Sequence, residues 1–203
     1  MPRTKEQNEA IRGAKEQLIV SVALKLFAKN GYTATSIDKI AKEAGISKGL
    51  LYNYFTSKEN LLYTMINNLI VEFENAIDPN HDGTVTDEEA IGFIDSTFDM
   101  LMHRKNEMQL YYQLTLQPQV LGFFTKQVKM YQHLADRQRL IVQYFVKKIP
   151  CSDEKAAYLT MIAFLKGLFM VCVFMPEVYP NDFLMQYKAY IKSKLMEAIK
   201  NNQ

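Results

Sequence analysis

Turn-forming residues are scarce in this chain of 203 residues, which holds eight Gly and six Pro. That poverty excludes a many-stranded β-sandwich or barrel, which needs a turn every few residues. Cysteine is scarcer still. Cys151 and Cys172 cannot make a disulfide framework or a four-ligand zinc site by themselves. No apolar run follows Met1-Pro2-Arg3-Thr4-Lys5-Glu6, so no secretory signal is read and a reducing cytoplasm is the expected setting. Catalytic signatures are missing too. The chain has no P-loop, no G-x-G-x-x-G, no G-x-S-x-G and no H-E-x-x-H, and His81, His103 and His133 are far apart. The expectation is a protein that is not an enzyme and requires no cofactor.

What is present is helical periodicity and an uneven distribution of charge. Residues 1–58 carry ten Lys or Arg against five acids, while the rest carries 14 against 17. A basic module on an acidic remainder is the footprint of a part that meets an anion. Leu18, Ile19, Val22, Ala23, Leu26 and Phe27 recur at helical spacing, and Gly31 closes that segment. Ile37, Ile40, Ala41 and Ala44 line a short second helix capped by Thr35-Ser36, and Gly45 breaks it. Ser47 opens a third helix with Leu51 and Phe55 inward. Thr56-Ser57-Lys58-Glu59 reads as a capping box for a helix reaching about Ile77. Further helices are expected over 87–103, 106–116, 119–148 (with a possible break), 153–175 and 181–200. Ser152, Asp153 and Glu154 start the first of the last pair and Pro176 stops it.

Between Ala156 and Met175 the only charge is Lys166. Twenty such residues could span a bilayer. The charge at mid-segment and the soluble-type start favour a buried helix at a subunit interface, with Ala156, Leu159, Ala163, Lys166, Gly167 and Met170 as one stripe. No membrane attachment is expected. Aromatic and Met residues crowd the middle of the chain (Phe93, Phe98, Met102, Met108, Tyr111, Tyr112, Phe123, Phe124, Met130, Tyr131, Met161, Phe164, Phe169). They are core, with some free to line an adaptable apolar pocket.

Residues 35–55 hold the parts of a helix-turn-helix. Ala41 is the small residue where two helices cross, Gly45 tolerates positive φ at the turn, and Ile46 plugs the angle. With Leu51 and Phe55 inward, Lys48, Gly49, Leu50, Tyr52, Asn53 and Tyr54 fall on the outer face or N-terminal tip, where such a helix meets the major groove. Lys48 can reach a base edge or a phosphate, Asn53 can pair with adenine, and Leu50 can touch a thymine methyl. Lys58 adds a cation beside amides able to hold a phosphate.

From Ile19 to Leu62 the string resembles the DNA-binding domain of the TetR family of transcriptional regulators. The motifs stand in order: A-x-x-L-F-x-x-x-G-Y from Ala23 to Tyr32, T-S-I-x-x-I-A from Thr35 to Ala41, A-G-I-S-x-G-x-L-Y-x-Y-F from Ala44 to Phe55, and S-K-E-x-L from Ser57 to Leu61. The resemblance implies that Thr35 or Ser36 holds a phosphate and that Lys48, Gly49, Leu50, Tyr52, Asn53, Tyr54 and Lys58 face DNA. Family members often have His where Tyr54 stands. It further implies an all-α chain with a three-helix DNA-binding domain over 1–58. A helical effector-binding and dimerisation domain would follow over 59–203, its last two helices forming a four-helix interface. The implied protein is a homodimeric repressor on a near-palindromic operator, released by a small molecule whose identity and pocket residues stay unread.

A second motif lies outside that resemblance. Asp78-Pro79-Asn80-His81-Asp82-Gly83-Thr84-Val85-Thr86-Asp87-Glu88-Glu89 has the residue types of an EF-hand loop. Asp78, Asn80 and Asp82, the Thr84 carbonyl, Thr86 and Glu89 could supply oxygens to Ca²⁺, with Gly83 at the sharp bend. The competing reading is a polar turn followed by an acidic first helical turn. Two alternatives to an effector-released repressor therefore stand: a Ca²⁺-responsive regulator, and a helical interaction protein, free or membrane-attached, that does not bind DNA.

Overall fold

In the computed structural model the backbone is described over residues 4–126, 128–148 and 153–201. Among the described residues there is no strand. The helices are α1 (Lys5–Asn30), α2 (Ile37–Glu43), α3 (Lys48–Tyr52), α4 (Lys58–Ile77), α5 (Asp87–His103), α6 (Lys105–Thr115), α7 (Pro118–Lys126), α8 (Val128–Lys148), α9 (Glu154–Phe174) and α10 (Asn181–Asn201). Local chemistry sets their ends. Thr4 caps α1 through a reciprocal box with Gln7, and Thr86 caps α5 through the same box with Glu89. The cap of α4 is one residue later than its sequence indicates: Ser57 Oγ accepts from the Asn60 amide at 3.0 Å, and Asn60 Oδ1 takes the Thr56 amide at 3.2 Å. Asn60, not Glu59, reaches back, because three residues separate it from the true cap.

The chain divides into two units, Met1–Leu69 with Leu110–Lys126, and Ile70–Gln109 with Gln127–Gln203. The first unit runs past residue 58 into α4, and the division falls inside α4 and inside α6. Its core explains why. Ile19, Ala23 and Phe27 of α1, Ile40 and Ala41 of α2, and Leu51 of α3 are buried together with Leu61, Leu62 and Met65 of α4. Leu114 and Val120 are buried in the same unit, and the Tyr111 hydroxyl donates to the Met65 carbonyl at 3.3 Å. Each such large side chain contributes about 1.5–3 kcal/mol on burial, so the first half of α4 belongs energetically to the N-terminal module.

In the second unit α10 packs along α5 and α9 along α8. Lys188 and Lys192 of α10 clamp Asp95 of α5 at 3.0 and 2.8 Å, and Lys188 also meets Asp99 at 3.2 Å. Asp153 caps α9 by accepting from the amides of Lys155 and Ala156. Ser152 and Cys151 lie outside the described residues, as do the side chains of Phe123, Phe124, Met130, Tyr131 and His133. Cys172 is buried, and burial pushes its thiol above the ordinary range. Among the described residues no helix is long and apolar enough to cross a membrane. The expected stripe Ala156, Leu159, Ala163, Lys166, Gly167 and Met170 is exposed along α9.

Candidate nucleic-acid interface

The turn between α2 and α3 is a Schellman motif. The Ile46 amide donates to the Ala41 carbonyl at 3.0 Å, the Gly45 amide to Lys42 at 3.1 Å, and Gly45 sits at φ +65°. That conformation is strained for a residue with a Cβ. Ala41, 2% exposed, lies where the helices meet. Ser47 then caps α3, its hydroxyl accepting from the Leu50 amide at 3.1 Å. Leu51 and Phe55 are anchored at 0% and 1% exposure.

Anchoring those two residues turns others outward. Lys48, Gly49 and Leu50 are exposed, as are Tyr52 and Asn53. Leu50 keeps 37% of its surface in solvent and Tyr52 44%, more than an apolar residue on a packed face would. Lys48 pairs with Asp38 of α2 at 2.9 Å, and that hydrogen bond holds its ammonium above the ordinary lysine range. α3 is shorter than the sequence suggests. It ends at Tyr52, so Asn53 is its C-cap residue. Tyr54 is half-buried, with the Arg12 guanidinium 5.8 Å from its ring centre.

Three of the expected contacts are placed differently from one another. Ser36 is exposed and caps α2, accepting from the Lys39 amide at 3.2 Å. Thr35 is fully buried, and its hydroxyl donates to the carbonyls of Gly31 and Leu26 at 2.9 and 3.2 Å. Lys58 turns inward as well. Its ammonium donates to the carbonyls of Tyr32, Thr35 and Thr33 at 2.9, 3.1 and 3.3 Å and lies 4.5 Å from the Tyr32 ring centre. Of the expected phosphate partners, then, Ser36 is presented to solvent, while Thr35 and Lys58 bind the module's own backbone. Arg12 and Gln117 were not singled out in the sequence. Arg12 carries a charge that periodicity cannot orient, and Gln117 meets the module only through residues 85–90 positions away.

The acidic loop does not gather its oxygens into a coordination shell. Asp78 is fully buried and paired with Arg137 of α8, and its oxygens also accept from the amides of Asp82 and Gly83 at 3.2 and 3.1 Å. Asn80 accepts the Asp82 amide at 2.9 Å. Asp82 accepts the Thr84 amide and hydroxyl, both at 2.8 Å, and those bonds hold its carboxyl below the ordinary range. Thr86 and Glu89 are used by the capping box of α5. Among the described residues no three His, Cys, Asp or Glu side chains form a group able to hold a metal ion. Of the expected calcium set, Asp78, Asn80, Asp82, Thr84, Thr86 and Glu89, each side chain is thus engaged within the loop, with Arg137 or in the cap of α5. Asp87, at the end of the loop, accepts from the Tyr144 hydroxyl at 2.5 Å and pairs with Lys148 at 3.1 Å.

The second unit also holds a half-open cavity of about 600 Å³. Phe93, Thr97 and Phe98 of α5, Ile141 and Phe145 of α8, Thr160, Phe164 and Leu168 of α9, and Tyr187, Ile191 and Lys194 of α10 are on its walls. None of the described wall residues is acidic. Phe93, Phe98, Met161 and Phe164 are the residues from the apolar crowd that reach it. The others were indistinguishable from core by spacing alone.

Residues 19–64 match the family model described as bacterial regulatory proteins, tetR family. The chain is 60% identical over 53 residues to the uncharacterized HTH-type transcriptional regulator YuxN of Bacillus subtilis (strain 168), a match covering 26% of this chain and 18% of that relative. The aligned stretch is therefore under a fifth of the relative's length. Among solved structures, the fatty acid degradation regulator FadR of Bacillus halodurans superposes with a TM-score of 0.67 at 19% identity, covering 89% of this chain and 94% of that one. FadR from Bacillus subtilis in complex with stearoyl-CoA superposes with a TM-score of 0.60 at 20% identity, covering 88% and 96%. At those identities the likeness is one of fold.

Proposed function

We propose that the chain, whose residues 19–64 match the tetR family model, is a homodimeric, DNA-binding transcriptional repressor of that family in the cytoplasm, released by an apolar small molecule. One observation carries the DNA reading: Lys48, Leu50 and Tyr52 stand in solvent on a helix whose intervening Leu51 is fully buried. Such a face serves no packing purpose in the chain itself and has the residue types that read a major groove. The Lys48–Asp38 pair is exposed and screened, so exchanging Asp38 for a phosphate is inexpensive. Ser36 and Lys48 are assigned to the backbone and base edges, and Leu50, Tyr52 and Asn53 to the groove. Lys58 and Thr35 hold the module together instead.

A second copy accounts for the apolar surface of the last two helices. Leu159 is 67% exposed, Met170 47%, Met185 52% and Met196 49%. Large apolar side chains left in solvent on both helices are what a second copy would cover. A two-fold dimer then demands a near-palindromic site. The cavity supports the effector reading. Its size suits one small molecule, and its described walls are mostly apolar, with Lys194 but no carboxylate among them. That FadR of Bacillus subtilis is complexed with stearoyl-CoA supports an elongated acyl-like occupant here. In this reading calcium has no part, and the acidic loop is a structural staple.

Selection of duplexes from a random pool, followed by anisotropy titrations at several salt concentrations, tests the proposal. An enriched near-palindrome bound by a sedimenting dimer, with affinity falling as salt rises, is expected. A pool that yields no sequence above non-specific background sinks it.

A further inference from the structure

Lys58 at the start of α4 and Gln117 in the turn after α6 each bring a side chain to the same short stretch of backbone. That stretch, Gly31–Ser36, joins α1 to α2 and ends in the cap of α2. Lys58, the first residue of α4, holds three of its carbonyls. Gln117, in the turn that follows α6, holds it from the other side. Gln117 Oε1 accepts the Tyr32 amide at 2.8 Å, and Gln117 Nε2 donates to the Phe27 carbonyl at 2.9 Å and to the Gln113 carbonyl at 3.4 Å. One side-chain amide thereby ties the C-terminal turn of α1 and the residue after Gly31 to the end of α6. The partners fix its orientation, since an N–H must meet an oxygen on each side.

Gly31 makes that tie consequential. At φ +89° it is a joint at which the backbone turns sharply, and its amide donates to Phe27. Phe27 and Tyr32 flank the joint, their rings 5.1 Å apart edge to face. Whatever sets the joint sets the start of α2, and α2 carries α3 through the Schellman turn. We infer that Gln117 is a positioning residue for DNA recognition. It grips both sides of the Gly31 joint and so fixes where α2, and α3 behind it, begin. The inference rests on the DNA-binding reading above. It adds that affinity depends on a residue of the α1–α2 connection's support as well as on the recognition face.

The Gln117 contacts consist of one accepted and one principal donated bond, and a carboxyl group separates them. In Q117E an ionised carboxylate still accepts the Tyr32 amide but faces the Phe27 carbonyl with no proton to donate. Protonated, it regains the O–H. The test uses the full-length protein and the duplex that wild type selects, with a scrambled duplex as control. Gln117→Ala should lower affinity for the selected duplex about fivefold to tenfold, the worth of one or two neutral hydrogen bonds. Affinity for the scrambled duplex should be unchanged, because no phosphate-facing cation is removed. The Tyr32 amide should lose protection from hydrogen exchange. Q117E should match Q117A at pH 8 and recover relative to wild type as the pH is lowered through about 4.3, the ordinary glutamate value. Q117A binding the selected duplex like wild type overturns the inference. So does a loss in Q117E that acid does not restore, or an equal loss on both duplexes. A wild type that selects no duplex defeats the DNA-binding reading instead, and the two failures are distinct.

Discussion

The α2–α3 face and the loop from Asp78 to Glu89 are both short polar stretches bounded by capped helices, yet they dispose of their polar groups in opposite ways. On the first, Lys48, Tyr52 and Asn53 are left in solvent, and only the exposed Asp38 meets Lys48. On the second, Asp78, Asp82 and Glu89 are consumed by Arg137, by backbone amides and by a helix cap. A motif states which residue types stand at which spacing. It does not state whether their hydrogen-bonding capacity is already committed. Unspent capacity marks a surface that acts on something else, and spent capacity marks a fastening.

The largest effect that would break this contrast comes from two adjacent residues. Leu51→Ala removes a fully buried side chain and should cost about 2–5 kcal/mol of stability in chemical denaturation. Tyr52→Ala, one position on, should leave stability within about 0.5 kcal/mol and weaken operator binding. Equal stability losses would show that Tyr52 is a packing residue and that the face has been assigned wrongly.

Of intermediate size is the fastening at the end of the loop. The Tyr144 hydroxyl, first among its causes, holds the Asp87 carboxyl below the ordinary range. A depressed carboxyl contributes stability above its unfolded pKa, and that contribution is lost as pH falls through the folded value. Tyr144→Phe should therefore cost about 1 kcal/mol at pH 7. Melting curves of mutant and wild type should converge in acid, below the ordinary aspartate range. A gap that persists there unchanged would mean that the hydroxyl acts through packing rather than through the charge of Asp87.

The smallest effect concerns metal. Adding millimolar CaCl₂ should leave the melting temperature of wild type unmoved, because the loop's carboxylates already have partners. Glu89→Gln should cost only a few tenths of a kcal/mol, as a glutamine still serves a capping box. A calcium-dependent rise in wild type that Glu89→Gln abolishes would restore the loop as a binding site.

Much of the fold was legible because its signals are local. Ser36 and Ser47 cap the helices that follow them, Gly45 takes the positive φ assigned to it, and the α5 boundaries of Asp87 and His103 match the expected 87–103. Each of these depends on neighbours within four residues. The inward turn of Lys58, the buried hydroxyl of Thr35 and the grip of Gln117 depend on where other segments arrive. So does the pairing of Arg137 with Asp78, across 59 positions. Its place in the first helical turn put Lys58 beside amides that could hold a phosphate, but a flexible four-carbon stem decided which way its charge went. The cavity was hidden for a related reason: an apolar side chain that lines a space and one that fills it have the same spacing.

The brevity of α3 limits how much one copy of this protein can know about a genome. Five residues make under one and a half turns, enough to present only a few side chains to base edges. A reader of about four base pairs finds a chance match roughly every few hundred positions, against the 10⁶ or more competing sites that a genome offers. A single module is therefore an address with too few digits. Joining two copies doubles the digits, and the distance between the halves adds one more that no side chain has to read. On this view the apolar surfaces of α9 and α10 belong to the specificity of the protein as much as Lys48 and Tyr52 do.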